Sequence, residues 1–530
     1  MLTCDSNLQI GGCLRIVTGV NLRIFPQRIP GRAAGEANGG DARPRRAAGR
    51  PAIALTIMLG AQLMVILDAT VVNIALPHIQ SGLRFSTANL SWVMNGYTLT
   101  FGGLLLLGGR AGDILGRRRM FLCGIVIFTI SSLVGGLAPS AGVLLAARAV
   151  QGVGGALASP AVLALVISGF AEGKERLRAL AIYTGVVMGG GSLGLVLGGL
   201  VTQWASWRWV LFINVPIGVV VVALTPVFVS ETPRQPGRFD LPGAVTSTAG
   251  VAALVYAFIR AASNGWGDPL TIASFAAAAV LLAAFVLIET RARQPITPLS
   301  LFASASRSGS FVARLLIVAG MFSMFYFLTQ FVQDVLGFSP LTAGVAFLPM
   351  TLLVFTVSRF APKLIARVGG WQLMLVGMLP VIAGMAWLSR VSPETGYWTG
   401  VFGPMVLIGS GMGVVFVPLT TASLAGVRPE DSGAASSMVN VMQQLGGSVG
   451  LAILVAVYGT ATRNYHPAAG LSAAASRASV LAHGTATAFL LAAIFDVAAL
   501  LVIALLLRPR QAAVLAGLVE AETAVSAVPE

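Results

Sequence analysis

The chain has 530 residues, of which 56% are apolar and only 10% charged. A soluble globular chain carries roughly 25% charged residues. The deficit excludes a soluble enzyme, a disordered scaffold and a nucleic-acid-binding module, and the net charge of +15 needs another explanation. Cys4, Cys13 and Cys123 are the three cysteines, and they show neither metal-ligand spacing nor a disulfide framework.

Residues 1–50 contain no apolar run long enough to span a bilayer, and they hold eight arginines. They lack the basic start, apolar stretch and small-residue cleavage site of a signal peptide. A disordered basic cytoplasmic tail is expected there. A membrane helix needs about 20 mostly apolar residues. Fourteen such runs follow, near 52–77, 89–109, 120–138, 142–168, 179–203, 208–230, 241–261, 269–289, 309–333, 341–360, 372–390, 397–425, 433–459 and 485–507. Period-two alternation is absent, which excludes a membrane β-barrel. The chain therefore reads as an all-α integral membrane protein in a lipid bilayer.

Arginine and lysine excess in loops marks the cytoplasmic side. With the N-terminus inside, the inner loops hold eighteen basic residues and the outer loops six. The inner set includes Arg110, Arg117, Arg118, Arg119, Lys174, Arg238, Arg293, Lys363 and Arg510; Arg148 and Arg314 fall within spans. The bias supports fourteen spans with both termini cytoplasmic, and it explains the basic charge without nucleic acid.

The loop after the second run reads Gly109-Arg-Ala-Gly-Asp113-Ile-Leu-Gly116-Arg117-Arg118-Arg119, and the loop after the tenth reads Leu364-Ile-Ala366-Arg367-Val-Gly369-Gly370. Aligning Gly369 with Gly116 makes the tenth span the counterpart of the second. An offset of eight implies two six-span halves separated by two extra spans. Parallel repeats of this kind are typical of secondary transporters, with the substrate path between the halves. The expected division is 1–50 tail, 51–230 N-terminal bundle, 231–308 linker spans, 309–507 C-terminal bundle and 508–530 cytoplasmic tail.

The motifs resemble the major facilitator superfamily, and within it the fourteen-span drug:H+ antiporter-2 group (EmrB/QacA type). The resemblance rests on Leu67-Asp68-Ala-Thr-Val-Val-Asn73-Ile-Ala-Leu-Pro77, the basic loop from Gly109, and Arg148-Ala-Val-Gln151-Gly152-Val-Gly154-Gly155. It rests also on the glycine-rich fifth span with Trp207, Arg208, Asn214 and Pro216, and on Gly409–Leu454 with Pro418, Gln444, Gly446, Gly447 and Gly450. Ala111 stands where the family usually has Leu, Ile114 where it often has Arg, Leu195 where the antiporter motif has Pro, and Gln443 where Arg is frequent. The resemblance implies a major facilitator fold of two six-helix bundles plus two linker helices. The implied activity is proton-coupled efflux of small, largely apolar or cationic molecules. An importer on the same fold is the alternative that Leu195 favours; a receptor or membrane enzyme is the more distant one. There is no Gly-x-x-x-x-Gly-Lys-Ser/Thr loop for ATP. No cofactor is expected, and the proton gradient is the implied energy source.

Among single residues, Asp68 stands alone in an apolar helix, where a carboxylate is costly unless paired, hydrated or protonated. A carboxyl group that can hold and release a proton is what coupling to a proton gradient requires. Counting inward at 1.5 Å per residue, Asp68 lies about 14 Å and Arg148 about 10 Å below the expected outer ends of their helices. The two are thus within reach of each other, and the family assigns this arginine to proton relay; the plainer role for either is helix packing. The resemblance makes Gly109, Asp113, Gly116, Arg117 and Arg118 a latch between the halves, where the plainer reading is anchoring by positive charge. Gly190, Gly194 and Gly198 recur every four residues and allow close helix approach. Gln151, Tyr326, Gln330, Gln444 and Asp496 are candidates for the substrate path, with Asp496 also a candidate second proton site. Arg314 and Asp334, of the span that holds Tyr326 and Gln330, are further candidates for the path, and their nearness to helix ends leaves snorkelling as the plainer role.

Overall fold

The computed structural model describes residues 51–170, 174–232, 239–292, 299–427 and 432–508, with Arg234, Pro295 and Thr297. The expected tail at 1–50 and, apart from Arg508, that at 508–530 lie outside the described residues, as do Arg238, Arg293 and Arg428. The long helices are α1 (Pro51–Leu83), α2 (Trp92–Leu115), α3 (Arg117–Gly136), α4 (Ala141–Gly169), α5 (Lys174–Trp204), α6 (Asn214–Phe228) and α7 (Leu241–Asn264). They continue with α8 (Pro269–Arg291), α9 (Ala305–Gln330), α10 (Leu348–Ser358), α11 (Gly370–Leu388), α12 (Phe402–Leu424), α13 (Ser432–Asn464) and α14 (Ala473–Leu506). Among the described residues there is no strand. Thirteen helical segments there are long and apolar enough to cross a membrane. The thirty-one-residue α5 holds the place of the expected fifth span.

The packing repeats with a period of eight helices. In the first bundle α1 packs on α4, α5 and α6, α2 on α4, and α3 on α4 and α6; α9 packs likewise on α12, α13 and α14, α10 on α12, and α11 on α12 and α14. The glycines aligned in sequence occupy one conformation. Gly116 (φ 110°) and Gly369 (φ 92°) each end one helical segment and cap the next. A side chain is strained at such φ, so glycine is required at both turns.

Between the bundles, α1 meets α9, α2 meets α13, and α5 meets the short helix Pro340–Ala346 that leads into α10. The linker helix α7 lies over α2 and α13, while α8 packs on α7. Only Thr271, Ser274, Ala278 and Glu289 of α8 are buried; Leu270, Ile272, Val280, Val286 and Leu287 are exposed. Water would not tolerate so wide an apolar face, whereas acyl chains do.

The α7–α8 turn is tied by Arg260, which donates to Asp268 at 2.6 and 3.2 Å. That hydrogen bond, aided by the Thr271 amide, lowers the Asp268 carboxyl from the ordinary 3.8 to about 2. A depressed carboxyl stabilises the fold above its unfolded value and loses that contribution as pH falls through its folded value. Amide protection at this turn, corrected for the intrinsic pH dependence of exchange, is expected to stay unchanged from pH 8 to 5 and to fall between about pH 4 and 2.

The glycine row of α5 lies on α1. A Cβ at Gly198 would meet the Val71 carbonyl oxygen at 2.8 Å and Cα at 2.9 Å; at Gly194 it would strike the Thr70 hydroxyl, and at Gly190 the Ile66 methyl at 3.0 Å. Backbone cannot yield as a methyl can, so Gly198→Ala should lower stability by about 1–3 kcal/mol, as overpacking typically does. Gly190→Ala should cost less, and melting of both variants in detergent checks the order. The counterparts Gly446 and Gly450 of α13 press on Leu315 and Ala319 of α9 in the same way.

Candidate functional site: a buried carboxylate network

Asp68 of α1 is fully buried, and Arg148 of α4 is 1% exposed. Arg148 donates from Nη1 to Asp68 Oδ2 at 2.5 Å and to Gln151 Oε1 at 2.8 Å, and from Nε to the Val93 carbonyl at 3.0 Å. Asp68 Oδ1 accepts from Gln151 Nε2 at 2.8 Å and from Asn214 Nδ2 at 2.9 Å. Both amides also donate to Ser132 Oγ, at 2.7 and 3.3 Å. The guanidinium lies 4.5 Å from the centroid of the Tyr97 ring, which stacks on Phe101. Every one of the six helices of the first bundle except α5 contributes a side chain.

The local sequence explains the arrangement. Arg148 and Gln151 are three residues apart, so they share a helix face. Gly152, one residue on, lies against the Tyr97 carbonyl and Thr100 hydroxyl, where any side chain would clash. Thr100 in turn donates to the Ala149 carbonyl at 2.8 Å. This close approach of α2 and α4 brings Tyr97 over the arginine.

The ionised carboxylate accepts from three donors, so this arrangement satisfies its charge. A proton on Oδ2 would reverse the fit. Arginine has no acceptor, so a carboxyl O–H facing Nη1 would place donor against donor. A proton on Oδ2 would therefore break the bond to Arg148, whereas a proton on Oδ1 would need an acceptor on the other side of the carboxyl. Acceptors stand nearby: Asn214 Oδ1 has no hydrogen-bond partner, and neither has the Tyr97 hydroxyl.

The other expected residues are distributed as follows. Gln151, expected in the substrate path, sits in the Asp68 network. Gln444 packs on Gly102, at the contact of α13 with α2. Tyr326 is buried in α9 with its ring edge-on to Phe327 at 5.0 Å, and the Tyr326 carbonyl accepts from Gln330 Nε2 at 3.2 Å. Asp496 is fully buried on α14 and faces Gly320 of α9, so it lies inside the second bundle. Arg314 does not snorkel: it is 3% exposed and donates to Thr420 Oγ1 of α12 at 2.5 Å.

The basic loop also bonds within its own bundle. Arg117 donates twice to Asp113 Oδ1, at 2.9 and 3.1 Å. Arg118 donates from its backbone to Glu231 at 2.9 Å and from Nη1 to the Val229 carbonyl at 3.1 Å. Gly116 leaves room for the Glu231 carboxylate, and Gly109 abuts Pro160. In this conformation the loop clamps the exit of α6. Sequence reasoning did not single out Glu231, Ser132, Asn214 or Tyr97 as site residues. The isolated Glu231 just after an apolar run and Asn214 in the motif after the fifth span were the available signals.

Two helical bundles with a charged network sealed in one of them, and apolar outer faces, define a multi-pass membrane protein of the transporter class. The comparisons make the family specific. The Major Facilitator Superfamily model matches residues 58–451. The puromycin resistance protein pur8 of Streptomyces alboniger is 42% identical, over 85% of this chain and 90% of that protein. The cephamycin export protein CmcT of Amycolatopsis lactamdurans is 41% identical, over 77% of this chain and 85% of its own length. The structure of a bacterial homolog to the human lysosomal transporter Spinster, in an inward-facing and occupied conformation, superposes with a TM-score of 0.62 at 16% identity, over 86% of this chain and 97% of that one. The chain belongs to the Major Facilitator Superfamily.

Proposed function

We propose that this transporter is a proton-coupled exporter of drug-like small molecules, with both termini cytoplasmic. The observation that carries the reading is the sealed Asp68–Arg148 pair. Its carboxylate is fully bonded when ionised, and a proton on the oxygen that faces Arg148 sets donor against donor. Protonation of Asp68 would free Arg148, and with it the register of α1 against α4, and so bias the bundles between two access states. Relatives named for puromycin resistance and cephamycin export support the direction.

The orientation of the seam fits an inward-facing state. Among the described residues, the side-chain hydrogen bonds that cross between the bundles join Asn73 to Thr329, Thr98 to Ser448, Gln333 to the Ile74 carbonyl, and Gln203 to the Leu341 amide. Most lie toward the expected outer ends, which would close the outer side. The importer alternative rested on Leu195. That residue is buried, and its carbonyl packs on Gly344 at the head of α10, so it belongs to this outer closure.

A susceptibility panel in a drug-sensitive host tests the reading. Expression of the chain should raise the inhibitory concentration of at least one antibiotic or cationic dye severalfold, and a proton uncoupler should restore accumulation of that compound. A host with unchanged resistance across the panel, or one made more sensitive, would favour uptake.

A further inference from the structure

Arg314 is a buried cation without a buried anion. It sits nine residues into α9, roughly 14 Å along the helix. Its Nη2 bonds the Thr420 hydroxyl at 2.5 Å, and its guanidinium carbon lies 5.4 Å from the Phe416 ring centroid. The Thr420 hydroxyl spends its own proton on the Phe416 carbonyl at 2.8 Å. Arg314 Nε is buried with no hydrogen-bond partner. Among the described residues no carboxylate forms an ion pair with it.

The other deeply buried arginines are compensated. Arg148 has Asp68. Arg307 donates to the carbonyls of Ser300, Leu301, Ala425 and Gly426, which fixes the end of α12. Asp496 does not serve Arg314. It faces Gly320, and residues six apart on a helix point about 120° apart, so the acid and the base lie on different faces of α9. A buried cation left unpaired costs several kcal/mol, and such groups in membrane proteins are by default functional. The helix that carries it, α9, lies on the seam between the bundles, where Thr329 near its far end and Gln333 just beyond it reach α1.

We infer that Arg314 is the recognition point for an anionic group, specifically a carboxylate, on molecules this protein carries. Guanidinium and carboxylate match as two parallel hydrogen bonds. The unbonded Nε is one such donor, and the Phe416 ring under the guanidinium holds its plane in place. The site rests on the reading of the chain as a transporter of drug-like molecules. It adds to that reading a second determinant, remote from the proton network: acids and their esters would be handled differently.

The test uses two dyes that differ at one group, tetramethylrhodamine with its free carboxylate and tetramethylrhodamine methyl ester. Binding to the purified full chain in detergent is followed by fluorescence anisotropy. The wild type should bind both. Arg314→Gln should weaken binding of the acid about tenfold or more, as loss of a charge-assisted pair does, and leave the ester within about twofold. Arg314→Lys should retain part of the acid's affinity. Retained ester binding also shows that the variants are folded. Equal weakening of both dyes, or none of either, would overturn the carboxylate site while leaving the transporter reading intact. A wild type that binds neither dye would count against the transporter reading, and the site would fall with it.

Discussion

Asp68→Asn is expected to abolish proton-driven transport and return the host to the sensitivity of cells lacking the gene, with the protein still inserted and folded. Asparagine keeps the size of the side chain. Its carbonyl oxygen can still accept from Arg148 Nη1, the bond that spans 2.5 Å in the native chain. Its amide group, however, stands where Oδ1 accepts from Gln151 and Asn214. Asn214 can turn over to present its unpartnered Oδ1 to that amide, while Gln151 keeps its oxygen on Arg148, so most of the network can be rebuilt. What cannot be rebuilt is titration. The pair would be held in one arrangement at every pH, and drug binding should survive while coupling to the gradient is lost. Drug resistance of the variant, together with drug binding to the purified protein, separates these outcomes. Full resistance in Asp68→Asn would make the carboxylate structural.

Arg148→Ala is expected to do more damage to the fold. It strips Asp68 of its ion-pair partner among the described residues and leaves the carboxylate buried at 0% exposure. Removing one member of a buried pair typically costs about 3–5 kcal/mol. The arginine's contact with the Tyr97 ring and its bond to the Val93 carbonyl are lost as well. Both tie α4 to α2, so the loosening should be felt along that contact. Pairing it with Asp68→Asn should recover much of the stability, because the uncompensated charge disappears. Thermal unfolding of the two single variants and the double variant measures the coupling directly. Additive losses would mean that the pair does not act as a unit.

The sequence made the helices legible because lipid demands long apolar runs. It was less informative about where helices end. α1 continues through Pro77 to Leu83, and α14 begins at Ala473, twelve residues before the apolar run expected from 485. Hydropathy reports the part of a helix that needs lipid, and the Ala-rich start of α14 needs none. In the site, Asp68 and Arg148 were legible as lone charges inside apolar runs. Gln151, expected in the substrate path, bonds both Arg148 and Asp68. Ser132, Asn214 and Tyr97 are ordinary residues on three other helices, and tertiary packing alone gathers them round one carboxylate. Arg314 was open between the substrate path and a place at the membrane surface. Its nearness to a helix end suggested snorkelling, but Thr420 and Phe416 of α12 hold it inside.

The central claim is that proton movement through Asp68 drives drug out of the cell. It is tested most directly in inverted membrane vesicles, using a compound that the susceptibility panel identifies. With an acidic lumen and an alkaline bath, the wild type should accumulate that compound, and an ionophore that collapses the pH difference should release it. Asp68→Asn vesicles should exchange the compound across the membrane without accumulating it. Accumulation that ignores the pH difference, or that persists undiminished in Asp68→Asn, would contradict the account.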